Sequence, residues 1–139
     1  MTRFLRQIAA IGVLAGIVTV QQNAALAAPP CKGVDTNLTA QRKSDYAKLV
    51  AKSLDQNVKP SKVTVMAFMQ SDTWTVVYAN VPVAEPGYFF FDSATGSPVF
   101  KDVWGGVAMK SEAPGIAKWA RDLGANKSIA SCFASTVVG

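Results

Sequence analysis

The sequence predicts an α+β domain in two layers. A four-stranded antiparallel meander sheet carries a helix before it and a helix after it on one face, and one disulfide closes the domain. Three observations lead there. Apolar residues recur at helical spacing in Ala40–Leu54 and again from Ile116 to Leu123. Between these segments lie four β-branched or aromatic runs, separated by turn residues. Cys31 and Cys132 are the only cysteines and stand near the two ends of this pattern. The short loops imply neighbours in sequence that are neighbours in the sheet. A small curved sheet wrapping the first helix is the alternative architecture.

The chain opens MTRFLRQ, with Arg3 and Arg6 and no acid, then runs apolar over Ile8–Val20 and ends a small-residue stretch at Ala25-Leu26-Ala27. That is the three-part pattern of a secretory signal peptide. The apolar run is too short for the roughly 20 residues of a bilayer span. Residues 1–27 are therefore expected to be removed, leaving Ala28–Gly139 as a single small domain with no stable membrane span. Export points to a secreted location, in a bacterium the periplasm.

An oxidising compartment lets a lone pair of cysteines persist as a disulfide, and two cysteines allow one intramolecular pairing. Cys31 and Cys132 are expected to be bridged. The chain has no histidine. This removes Ser–His and Cys–His nucleophiles, imidazole metal sites and a neutral-pH switch. No catalytic residue, metal site or cofactor is expected. The full sequence carries 14 Lys and Arg against 9 Asp and Glu. Losing Arg3 and Arg6 leaves it mildly basic, without the charge blocks of a nucleic-acid binder.

Each element follows from local pattern. Ala28–Thr36, with Pro29-Pro30 and Gly33, reads as an extended arm tethered by Cys31. Thr39 caps a helix over Ala40–Leu54. Tyr46, Leu49, Val50 and Leu54 form its buried stripe, and Arg42, Lys43, Lys48 and Lys52 its solvated side. Asn57 and Pro60 end it. Lys62–Gln70 and Thr73–Val81 pair as a hairpin across Ser71-Asp72. Val63, Val65, Ala67 and Met69 are expected on one side of the first strand, with Met66 and Phe68 on the other. Trp74, Val76 and Tyr78 alternate with Thr75, Val77 and Ala79.

Pro82–Gly87 reads as a six-residue loop. Tyr88–Phe91 is a strand with two aromatics pointing each way. Asp92–Ser97 is a turn, with Gly96 supplying a positive φ. Val99–Trp104 returns antiparallel, and Gly105-Gly106 end it. Ser111 caps a second helix that has Pro114 in its first turn, an apolar stripe through Trp119, and a stop at Gly124. A short helical turn is expected around Cys132.

The turn motif Asp92-x-x-Thr95-Gly96, following Tyr88–Phe91 and preceded by a helix and strands, resembles the small PepSY modules of secreted bacterial proteins. The likeness covers about a third of the chain. It implies a noncatalytic role, in protease restraint or binding, and carries over no functional residue.

Trp104, at a strand end and followed by Gly105 and Gly106, can present a flat apolar surface beside accessible backbone, a surface suited to a peptide or a sugar ring. Tyr88 is its expected neighbour on this candidate ligand rim. Core burial of Trp104, with the glycines making room for the second helix, is the role favoured over it, because aromatics mostly serve packing. The expected function is thus an exported, noncatalytic binding or inhibitor protein. It would act as a monomer on an unknown protein or peptide partner in the cell envelope, with no nucleic-acid partner. Two alternatives use other residues. A basic helix through Lys43, Lys48 and Lys52 could hold the protein to an anionic envelope surface. A small envelope hydrolase would need paired carboxylates, drawn from Glu85, Asp92 and Asp102.

Overall fold

In the computed structural model, which describes residues 30–139, a capping threonine starts the first helix. The expected signal peptide, residues 1–27, lies outside the described residues. Thr39 accepts from the Arg42 amide at 3.2 Å. Helix α1 then spans Ala40–Ser53 and buries Tyr46, Ala47, Val50 and Ala51. Leu54 turns the chain to an extended conformation, and a single 3-10 turn at Pro60–Lys62 leads into the sheet.

Four strands follow: β1 (Thr64–Ser71), β2 (Trp74–Val81), β3 (Ala84–Asp92) and β4 (Val99–Gly105). They pair antiparallel in the order β1-β2-β3-β4, as the meander predicts. Between β1 and β2 the tight turn holds Asp72 at φ 54°. That left-handed conformation is one an aspartate tolerates better than most side chains. Two helices complete the chain. Helix α2 covers Ala113–Asp122 with Pro114 in its first turn, and α3 covers Lys127–Val137. Gly124 follows α2 at φ 113° and reverses the chain. Asn126 caps α3 by accepting from the Ile129 amide at 2.9 Å.

The Cys31–Cys132 disulfide is present and ties the N-terminal arm to α3, across a sequence separation of 101 residues. The arm also adds an isolated antiparallel bridge, Asp35 to Gln70, on the outer edge of β1. Arg42 holds this corner: it donates to Asp35 at 2.6 Å and to the Asn37 carbonyl at 2.6 Å, and lies 4.2 Å above the Phe68 ring. The guanidinium beside it and the Asn37 amide hold the Asp35 carboxyl below the usual carboxylate range.

The layering departs from the expected one. The helices do not share a face. Tyr46 and Val50 of α1 pack with Val65, Phe68, Val77, Phe89 and Phe91. Ile116, Ile129 and Phe133 of α2 and α3 pack with Met69, Trp74, Val76 and Phe90. Strand alternation sends Phe89 and Phe91 one way and Tyr88 and Phe90 the other, so both faces are apolar and both need cover. The domain has three layers, with the sheet in the middle.

Four local differences have physical causes. A bulge between Val65 and Ala67 leaves Met66 exposed and shifts the parity of β1. Val63, Val65 and Phe68 therefore share the α1 side, and Met69 faces the other. The expected loop at Pro82–Gly87 is a two-residue turn at Pro82-Val83. Pro86 is accommodated in β3 because the ladder is irregular between Ala79 and Val81, where a missing amide costs little. Ser111 does not cap α2: it lies in a 3-10 turn, Lys110–Glu112, where Glu112 accepts from the Met109 amide at 2.6 Å. The helical turn around Cys132 is a full helix of 11 residues, with Ile129, Cys132 and Phe133 on its buried side.

Candidate functional site

The sequence-predicted rim is divided by the sheet. Tyr88 pairs with Trp104 across β3 and β4, and both belong to the face covered by α2 and α3. Trp104 stands edge-on to Trp119 at 5.2 Å between ring centroids and near Phe133 at 6.2 Å. Tyr88 stacks on Tyr78 at 4.5 Å and meets Phe133 at 5.3 Å. Burial, and secondarily the neighbouring Tyr78, raises the Tyr88 hydroxyl above its ordinary pKa. The indole Nε1–H of Trp104 is shielded from solvent and finds no acceptor. Trp119 and Phe133 around the indole make packing the setting of this side chain. Gly105 and Gly106 do not join these rings. They line a cleft on the opposite face.

That opposite face is the more open one, and strand and helix dimensions give the reason. A helix with its side chains is about 10 Å wide, while strands lie about 4.8 Å apart. One helix covers about two strands. On the C-terminal side, α3 contacts β1 and β2, and α2 beside it brings Trp119 to 5.2 Å from Phe90. On the N-terminal side α1 works alone and contacts β1 and β2. Tyr46 of α1 reaches Phe91 of β3 at 5.5 Å, and the α1 side of β4 is left without a helix.

Two clefts occupy the uncovered strip. The first, about 340 Å³, lies between Leu49 and Lys52 of α1 and the aromatic pair Phe91 and Phe100. The second, about 440 Å³, lies between Leu54 and Val81 on one side and Phe89, Val103 and Gly105 on the other. Phe100 stands 5.8 Å from Phe91 and 6.2 Å from Phe89, and so forms the partition between them. The walls are mainly hydrocarbon. Lys52 charges the rim of the first cleft and Glu85 the rim of the second. Volumes of this size with apolar walls and few polar groups are typical of small-ligand sites.

At Gly87, on the wall of the second cleft, the neighbouring strand leaves no room for a side chain. A Cβ there would lie 2.8 Å from Val103 Cγ2 and 3.2 Å from the Trp104 carbonyl oxygen. Gly105 differs: nothing lies within 4 Å of where its Cβ would be, so it leaves room in the cleft. Next in the chain after Gly106, Val107 and Met109 are exposed, adding apolar surface to the linker that leaves β4.

The acidic residues are scattered. Asp92 accepts from the Ala94 amide at 3.1 Å inside the β3–β4 turn. Asp102 accepts from the neighbouring Val103 amide at 2.8 Å. Glu85 lines the second cleft, near the start of β3. Among the described residues, no group of three or more Asp, Glu or Cys is placed to hold a metal ion. Lys43, Lys48 and Lys52 are all exposed on α1. No helix of the described residues is long and apolar enough to cross a membrane.

No family model, curated protein or solved structure matches this chain. The PepSY likeness finds no support in these comparisons; in the β3–β4 turn that it drew on, Gly96 has φ 103° and its amide donates to the Ser93 carbonyl at 2.9 Å.

Sequence reasoning missed the cleft walls. Leu49, Leu54, Phe100 and Val103 each look like ordinary core or strand residues in isolation. The signal that could have found them is the pair of opposed aromatics in Tyr88–Phe91. A sheet apolar on both faces, with one helix preceding it, must leave part of one face uncovered.

Proposed function

We propose that the protein is an exported, noncatalytic binding protein, periplasmic in a bacterial host, that holds an apolar ligand in the clefts between α1 and β4. The observation that carries the proposal is the pair of hydrocarbon-walled clefts over Phe89, Phe91, Phe100 and Val103. Export is supported by the leader pattern of residues 1–27 and by the disulfide, which persists best in an oxidising compartment. A noncatalytic role is supported by the lack of histidine and by the local backbone hydrogen bonds that occupy Asp92 and Asp102.

The test is native mass spectrometry of the exported chain, followed by displacement of any retained molecule from a plugged variant. Gly105→Leu places a side chain into the second cleft where no atom opposes its Cβ. The variant is expected to fold normally and to lose the ligand. A ligand retained equally by Gly105→Leu and by Val103→Arg would rule out the clefts as the site.

A second reading, attachment to an anionic surface through α1, is favoured by one observation: Lys43, Lys48 and Lys52 are exposed and form no ion pair among the described residues. It predicts salt-sensitive binding to anionic vesicles that charge reversal at these lysines abolishes.

A further inference from the structure

The two clefts are charged oppositely at their far ends. Lys52 lies beside the start of β4, with Pro98, Val99 and Phe100. Glu85 lies beside its end, with Val103, Gly105 and Gly106. Neither side chain forms an ion pair among the described residues. Between them the floor is apolar, and its two depressions lie over Phe91 and Phe89, two residues apart on one strand. Side chains at alternate positions of an extended chain repeat at that spacing.

We infer that this groove takes a short extended peptide with both ends free, running antiparallel to β4, its carboxylate at Lys52 and its amino group at Glu85. The inference rests on the clefts being the ligand site. Strand length agrees: β4 has seven residues, about 20 Å at about 3.4 Å per residue, the reach of a six- or seven-residue peptide.

Lys52 is the one charged residue lining the first cleft and Glu85 the one charged residue lining the second. A fatty acid would satisfy Lys52 but would lay hydrocarbon against Glu85.

The test uses the chain from Ala28 with its disulfide intact, nitrogen-15 labelled, titrated with the hexapeptide Thr-Val-Ser-Val-Ser-Leu. Four forms are compared: both ends free, amino end acetylated, carboxyl end amidated, and both capped. Shifts are expected in Val99–Gly105 and Leu49–Leu54, with the free peptide tightest. Each cap should weaken binding by about two- to fivefold, the worth of an exposed ion pair. Lys52→Glu should reverse the preference for the carboxylate over the amide, and Glu85→Lys the preference for the free amine. Equal affinity for all four forms, or shifts confined to Gly124–Val137, overturns the inference. Palmitate shifting the groove residues while no peptide does so removes the peptide and leaves the cleft reading standing. If neither shifts the groove, both fall.

Discussion

The two faces of the sheet are built from similar residues and end differently. On the C-terminal face, Phe90 contacts both Phe133 and Trp119, at 4.8 and 5.2 Å, and Trp104 closes the cluster from β4. Two helices and a disulfide seal it. On the N-terminal face, Phe89 and Phe91 also lie under apolar side chains, yet one helix cannot span the strip over β4. The same sheet therefore has a closed side that supplies stability and an open side that leaves room for a ligand. Residue type does not distinguish them; the number of helices on each side does.

Substitutions sharpen this contrast, and the largest effect belongs to the closed face. Replacing both Cys31 and Cys132 by serine should cost about 4–5 kcal/mol, the chain-entropy value for so long a loop. Urea midpoints of the variant and of the oxidised parent measure it. Phe133 is fully buried, so Phe133→Ala should cost about 3–5 kcal/mol. Phe100→Ala, on the half-buried partition of the clefts, should cost about 1 kcal/mol and instead alter ligand binding. Equal losses at the two positions would erase the distinction between the faces.

Gly87→Ala should cost about 1–3 kcal/mol, because its Cβ has to displace Val103 and the backbone of β4. Adding Val103→Ala should restore part of that loss by clearing the nearer contact. Chemical denaturation of the single and double variants decides it. The smallest effect is at high pH. The Tyr88 hydroxyl is raised in the folded chain, so the unfolded chain ionises first and stability falls as pH rises through about 10. Tyr88→Phe should lose less stability than the parent between pH 9 and pH 11, by the same denaturation assay.

Much of the fold was legible because its signals are local. Thr39, Pro60, Gly96 and Gly124 each act within a few residues, and the alternation in Tyr88–Phe91 states that the sheet has two apolar faces. The disulfide was legible from count alone. The layering was not, because helix placement depends on which face each turn delivers the chain to, and the bulge at Met66 changes that parity within β1. The placement of the candidate rim residues was half legible. Trp104, Gly105 and Gly106 are adjacent in sequence, but a strand sends neighbours to opposite faces. The indole therefore joined the closed cluster, while the glycines opened onto the other side.

The open face differs from the closed one in where apolar molecules settle on the folded chain, and soaking crystals of Ala28–Gly139 with phenol shows this directly. Phenol should occupy the strip between Leu49, Leu54, Phe100 and Val103, and leave the Tyr88–Trp104 face empty. Phenol bound among Tyr88, Trp104 and Trp119, with both clefts vacant, would contradict it.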